Sequence, residues 1–295
     1  MTMKKRLFGQ TGLSVSPLGF GAMHLNDERT SDAAAGALLN QVLDAGINLI
    51  DTARGYGLSE ERIGRHIAHR RSEYVLSTKV GYGMAGITDW TYDCIVAGVE
   101  AACQRMHTDV IDIVHLHSCP LPVLAQGDVV RALEDCQAKG KLRVAAYSGD
   151  NAELRWAIDS GRFGSVQASV SVCDQFNLRQ HLPQAQTRQI GVVAKRPLAG
   201  AIWRLRDRPN DHALGLYWDR FHAMGMDPQG LDWDELALRF AAFSPGVASA
   251  IVGSNKQANL QRNVDIVNRG PLDAAAQAVI TQTFARCDDG WSSVI

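Results

Sequence analysis

Short apolar and β-branched runs alternate along this chain with longer stretches in which apolar positions recur every three or four residues. The short runs are Leu18–Gly21, Asn48–Asp51, Tyr74–Lys79, Ile111–His117, Val144–Tyr147, Ser165–Val170, Val192–Lys195 and Val247–Val252. Several are almost wholly apolar, as parallel strands covered on both faces must be. The longer stretches predict helices over Asp32–Ala45, Ser59–His69, Thr91–Met106, Asp128–Ala138, Ala152–Ser160, Arg179–Arg188, Asp232–Phe243 and Gln257–Val267. Ser31 is placed to cap the first of these, and Gly46, Gly140 and Gly161 to stop the first, fourth and fifth.

Eight strand-to-helix units in succession, with no run of paired strands between them, fit a closed (β/α)8 TIM barrel of the α/β class better than an open doubly wound sheet. All 295 residues are expected in one such domain. Residues 5–15 read as a short hairpin, turning at GQTG, that could plug the barrel floor. Residues 196–230, between the seventh strand and its helix, form a loop far longer than the usual two to six or so residues, and carry Trp203, Tyr217 and Trp218 among several arginines. A C-terminal tail, 271–295, is too weakly patterned to place.

Composition narrows the function classes. Thirty Lys and Arg against 31 Asp and Glu give a formal net charge of −1, which argues against a nucleic-acid binder relying on a basic face. No apolar run approaches the length of about 18 residues that a membrane helix needs. The opening MTMKKRLFGQTGLSV has a basic start but no apolar segment of a secretory signal. The six cysteines form no Cys-x-x-Cys pair and no zinc-like spacing, so they read as small hydrophobes in a reducing, cytoplasmic setting.

Barrel enzymes build their sites at the C-terminal ends of the strands. The second strand ends in Asp51, the third in Lys79 and the fourth in His117, with Tyr56 five residues beyond Asp51. Three neighbouring strands thus set ionisable groups on one rim. His115, two residues before His117, points to the same face. Such an H-x-H pair can mark a metal-dependent hydrolase, but no set of ligands completes a shell, so no metal is expected.

With Tyr56, these residues resemble the Asp-Tyr-Lys-His tetrad of the aldo-keto reductases. The segments NLIDTARGYGLSEERIG, LSTKVG and IVGSNKQANLQRNV are similar as well, from about Lys5 to Asn268. The resemblance implies an NAD(P)H-dependent oxidoreductase that reversibly reduces an aldehyde or ketone. Its chemistry can also be built from the residue types. A phenol ordinarily titrates near pH 10; an ammonium beside it favours phenolate, making a workable acid and base. Asp51 would hold Lys79 charged, and His117 would hydrogen-bond the substrate oxygen. Nicotinamide would supply the hydride.

No Rossmann fingerprint is present. By resemblance, Gly21, Ala22 and Met23 line the nicotinamide side, Ser148 and Gln167 hold the carboxamide, and Lys195, Arg196, Pro197, Leu198 and Gly200 wrap the pyrophosphate. Gly253 and Ser254 lead into a helix whose N-terminus can bind phosphate, with Asn263 near adenine and Asn259 at a further cofactor position. Lys256 and Arg262 would meet an adenosine 2′-phosphate, favouring NADP(H) over NAD(H). Three departures stand out. Ser148-Gly149 replaces Ser-Asn, Lys195 stands where many members stack an aromatic on nicotinamide, and Asn259 replaces an Arg or Gln. Met23, His24, Tyr82 and Trp90, with Tyr56 and His117, are candidate substrate walls for an apolar or aromatic carbonyl compound. The competing class is a barrel of the same family that binds cofactor for a regulatory or structural purpose; an intact tetrad speaks against it. The oligomeric state is left open.

Overall fold

The computed structural model describes residues 3–26, 30–228 and 230–295. Two short strands, β1 (Arg6–Leu7) and β2 (Ser14–Val15), pair antiparallel with Arg6 opposite Val15, as the hairpin reading expects. Eight parallel strands follow: β3 (Leu18–Gly21), β4 (Leu49–Asp51), β5 (Val75–Val80), β6 (Ile111–His117), β7 (Leu142–Ser148), β8 (Ser165–Ser169), β9 (Gly191–Lys195) and β10 (Val247–Val252). They close in the order β10-β3-β4-β5-β6-β7-β8-β9. This is the (β/α)8 barrel that the alternating pattern predicts.

The alternation along each strand sorts side chains by height. In β6, Ile113 lies in a buried floor cluster with Leu49, Val75, Val144 and Val193, and Phe8, Leu13 and Val15 from the hairpin pack into the same cluster. His115 comes next and His117 stands at the rim. Asp112, on the opposite face, meets Arg71 at 2.7 Å and Arg143 at 3.0 Å and accepts from the Leu76 amide. The hairpin therefore stoppers the end of the barrel remote from the ionisable rim.

The outer layer is helical: α1 (Asp32–Asp44), α2 (Ser59–Ile67), α3 (Tyr92–Arg105), α4 (Leu121–Gln126), α5 (Asp128–Ala138) and α6 (Asn151–Ser160) lead. In α1 the spacing Ala35, Leu38, Leu39, Val42 buries one stripe on the sheet, and Ser31 caps it by accepting from the Ala34 amide at 3.2 Å. Each fully buried Leu or Ile in this layer contributes roughly 1.5–3 kcal/mol. Gly161 ends α6 in the left-handed conformation expected of it.

Two expectations need correction. The single helix over 179–188 is instead α7 (Phe176–Gln180) and α8 (Leu182–Thr187). Pro183, which has no amide hydrogen and crowds the preceding turn, starts a new helix rather than continuing one. Residues 196–230 are not one open loop. They hold a 3-10 turn, 199–204, and α9 (His212–Met224), with Asp211 accepting from the Leu214 amide at 2.9 Å and Gly225 closing it. Tyr217 joins a second buried cluster with Leu236, Phe240 and Ile280, drawn from α9, α10 (Trp233–Phe243) and α12 (Ala274–Cys287). Between the last two runs α11 (Gln257–Asn268). Among the described residues no helix is long and apolar enough to cross a membrane.

The chain end is tied down. Asn151 exchanges two hydrogen bonds with the Ser293 backbone, Arg220 donates to the Ser292 carbonyl at 2.7 Å, and Arg196 donates to the Val294 carbonyl at 2.5 Å. Buried Asp174 accepts from Ser293 Oγ at 2.8 Å and from the Val294 amide at 3.0 Å. Burial pushes its carboxyl up to about 6 despite those donors. Trp291 packs edge-on against Phe284 under Arg220.

Candidate active site

The loop after β4 is fixed by its own sequence. Thr52 Oγ1 donates to Ser59 Oγ at 2.8 Å, and Ser59 Oγ donates to the Ala22 carbonyl at 3.0 Å. Buried Glu60 accepts from Thr78 Oγ1 at 2.6 Å and pairs with Arg105 at 2.7 Å. The Arg54 amide reaches the Lys79 carbonyl and the Leu58 amide the Asn26 carbonyl. These ties hold Tyr56, half-buried, over the mouth of the barrel.

Beneath it Lys79 Nζ lies 2.6 Å from Asp51 Oδ2 and donates to the Thr52 carbonyl at 2.8 Å, both side chains being 2% exposed. Asp51 Oδ1 accepts from Ser77 Oγ at 2.8 Å and from Gln167 Nε2 at 3.0 Å. Gln167 Oε1 accepts from Ser148 Oγ at 3.0 Å. One polar network thus joins residues from β4, β5, β7 and β8. Burial works to lower Lys79; the charge of Asp51, with Tyr56 adding to it, outweighs burial and holds the ammonium above the ordinary lysine value. Lys79 Nζ sits 5.2 Å from the centre of the Tyr56 ring.

His117 stands beside them, its ring 6.0 Å from that of Tyr56 and nearly perpendicular to it. Burial, reinforced by the Lys79 ammonium, pulls His117 down to about 3, so it is neutral at pH 7. Its Nδ1 is 2.8 Å from the hydroxyl of Tyr82, and the two rings stack at 5.4 Å. Trp90 packs edge-on to Tyr82 at 5.8 Å. His115, one layer deeper and fully buried, reaches Ser77 Oγ at 3.2 Å and is held down to about 4 by burial. The two histidines are thus engaged by different partners, and among the described residues no group of three or more His, Cys, Asp or Glu lies together in a metal-binding arrangement.

The remaining positions divide. Met23 and His24 are exposed on the 3-10 turn after β3, with the His24 ring close to Gly253. The Ser254 hydroxyl accepts from the Lys256 amide and from Asn259 Nδ2, both at 3.1 Å. No side chain caps the first turn of α11. Asn263 is buried in that helix. Two cations are already committed: Lys195 pairs with buried Asp150 at 2.8 Å, and Arg262 with Asp232 at 2.9 Å and Asp234 at 3.4 Å. Trp203, in the long seventh connection, stacks on Trp233 and donates to Asp234.

Asp150 and Asp174 went unnoticed in the sequence although both anchor this rim. Asp150 accepts from the Ser169 amide and from Asn177 Nδ2, each at 2.7 Å, as well as from Lys195. For Asp174 the signal available was a lone aspartate directly after the mostly apolar run 170–173, since a buried carboxylate needs partners.

A barrel with this rim matches a known family over most of its length. The model of the aldo/keto reductase family covers residues 17–283; the chain belongs to that family of oxidoreductases. The protein described as uncharacterized oxidoreductase YqkF of Bacillus subtilis is 28% identical over 287 residues, spanning 90% of this chain and 92% of its own. L-galactose dehydrogenase of Arabidopsis thaliana is 26% identical over 279 residues, 89% of this chain and 87% of its own. The solved holo form of aldo-keto reductase AKR11C1 from Bacillus halodurans superposes with a TM-score of 0.83 at 27% identity, covering 95% of this chain and 96% of that one.

Proposed function

We propose that the protein is an NAD(P)H-dependent reductase that reversibly converts an aldehyde or ketone to an alcohol, with Tyr56 delivering the proton. The observation that carries this reading is the buried Asp51–Lys79 pair set 5.2 Å from the Tyr56 ring, with neutral His117 at its side.

The residues present fit a nicotinamide dinucleotide. Ser148 and Gln167 offer a hydroxyl and an amide, donor and acceptor, at adjacent strand ends, which suits a carboxamide. Arg196, exposed on the rim with one guanidinium nitrogen bonded to the Val294 carbonyl, and the uncapped start of α11 suit phosphates. Gly21, Ala22 and Met23 would flank the ring, Pro197, Leu198 and Gly200 the pyrophosphate, and Gly253, Ser254, Asn259 and Asn263 the adenosine. When bound, nicotinamide supplies the hydride.

The chain's own groups then account for the proton. Tyr56 donates its hydroxyl hydrogen to the carbonyl oxygen as that oxygen becomes an alkoxide. Lys79 stabilises the phenolate left behind, and Asp51 keeps Lys79 charged without removing it from the buried rim. His117, uncharged, holds the carbonyl oxygen in line. Met23, His24, Tyr82 and Trp90 would wall a substrate with an apolar or aromatic face.

Cofactor choice rests mainly on Lys256, whose side chain meets no carboxylate among the described residues. Arg262 is shared between two aspartates, so a 2′-phosphate there would face negative charge as well as positive. We therefore infer a narrow preference for NADP(H) over NAD(H). Fluorescence titration with both nucleotides tests it, and tighter NADH binding overturns it. For the reaction, Tyr56→Phe should abolish carbonyl reduction while nucleotide binding persists; undiminished reduction by that variant rejects Tyr56 as the acid.

A further inference from the structure

A neutral imidazole carries one hydrogen, and the nitrogen that holds it decides what the ring can do. With hydrogen on Nε2, His117 can donate to a substrate oxygen from that atom. With hydrogen on Nδ1, Nε2 is an acceptor and would repel the oxygen's lone pairs. The reading above needs the first form, and the surroundings of the ring select it.

The selecting group is the Tyr82 hydroxyl, 2.8 Å from His117 Nδ1. Burial, with the neighbouring Tyr56 adding to it, pushes Tyr82 above the ordinary phenol value, so at neutral pH it keeps its hydrogen. Among the described residues Nδ1 is the one acceptor within hydrogen-bonding distance of that hydroxyl. A half-buried phenol donates its hydrogen where an acceptor exists, which makes Nδ1 an acceptor and puts the imidazole hydrogen on Nε2. Nε2 itself has no protein partner among the described residues and stays available.

The contact is built in, not incidental. Gly81 adopts φ +142°, and a Cβ there would lie 2.1 Å from the Trp90 ring, so only glycine lets Trp90 close over this turn. Trp90 returns a hydrogen bond from its amide to the Gly81 carbonyl at 2.8 Å and packs its ring on Tyr82. Arg54 Nη2 donates to the Gly83 carbonyl at 3.0 Å, and the Gly83 amide donates to Asp89 at 2.9 Å. The loop is pinned on both sides of Tyr82, and the phenol lies stacked on the imidazole it addresses.

We propose that Tyr82 is a positioning residue that fixes His117 in the Nε2–H form, so that His117 enters the reaction as a hydrogen-bond donor. This rests on the reductase reading for its consequence, but the hydrogen's location is measurable without turnover. Long-range 1H–15N correlation spectra of histidine-labelled protein report which ring nitrogen is protonated, with His117 assigned by the signal missing in His117→Asn. The expected wild-type result is a protonated Nε2 and an unprotonated Nδ1 at pH 7.

Tyr82→Phe keeps the stacked ring and deletes the hydroxyl. His117 should then shift towards a mixture of the two forms, with kcat falling about five- to tenfold, the loss of one hydrogen bond, and nucleotide KM unchanged. A wild-type His117 protonated on Nδ1, or a Tyr82→Phe protein whose His117 signals do not move, overturns the proposal. Should Tyr82→Phe fail to fold, the wild-type spectrum still decides. A wild-type protein that reduces no carbonyl compound yet shows the Nε2–H form refutes the reductase reading and leaves the proposal standing.

Discussion

Removing one member of the Asp51–Lys79 pair strands the other as a buried charge. At 2.6 Å and an effective dielectric of about 20, the attraction amounts to about 6 kcal/mol. Much of that offsets the cost of burying both groups, so the pair is worth far less than its attraction to the folded state. Asp51→Asn keeps the shape and an oxygen for Ser77 but takes the carboxylate from the Lys79 ammonium, leaving it the Thr52 carbonyl and Tyr56. The expected loss is about 3–5 kcal/mol, with a similar figure for Lys79→Met. The double variant has no stranded charge and should cost well under the sum, giving a coupling of about 2–4 kcal/mol. Urea unfolding followed by the fluorescence of the six tryptophans measures all three, once coincident probes establish two-state behaviour. Because Lys79 is raised in the folded protein, its contribution is complete below the unfolded value of about 10.4 and is lost as pH rises through the folded value. The alkaline limb should therefore flatten in Lys79→Met. Single variants within about 1 kcal/mol of wild type, or strictly additive costs, refute this account of the pair.

Three further outcomes follow from the structure. His115, held down to about 4, gives up stability as pH falls below about 6.5, where the unfolded imidazole takes a proton and the buried one does not. It should account for about 2 kcal/mol of loss by pH 5, a slope that His115→Gln removes from the acid limb of denaturant melts. Gly81→Ala should lower Tm and alter tryptophan fluorescence, costing about 2–4 kcal/mol through backbone strain and the displaced Trp90 ring; an unchanged melt would contradict the close packing at that turn. Deleting residues 293–295 takes two donors from Asp174 and a carbonyl from Arg196. Asp174 should rise further above 6, and hydrogen exchange in α9 should quicken, at a cost of about 2–4 kcal/mol.

The barrel was legible because its strands are short apolar runs at a regular interval, and the rim because Asp51, Lys79 and His117 each end such a run. The hairpin was legible for the same reason, its turn residues standing between two apolar positions. What escaped was structure carried by single polar residues. Asp211 and Gly225 bracket α9 as plainly as Ser31 opens α1, yet the expectation of a barrel loop there hid a capped helix. Pro183 divides α7 from α8, a break the apolar period steps across. The strap 288–295 has no period at all; its place follows from Asp174, Asn151, Arg196 and Arg220, which meet only after folding. Pair strength was equally hidden. Nothing in the order of residues says that Arg262 meets Asp232 and Asp234, or that Lys195 meets Asp150, since both unions span elements far apart in sequence.

The stoppered floor has a consequence for traffic. With Phe8, Leu13 and Val15 packed beneath the strand residues Leu49, Val75, Ile113, Val144 and Val193, the interior is filled and the rim is the one approach to the ionisable groups. On the proposed reaction, nucleotide and carbonyl compound would share that approach, so the one seated deeper would have to arrive first and leave last. An ordered sequence of arrivals and departures would then be a property of the architecture, imposed by a filled interior that leaves one face to approach from.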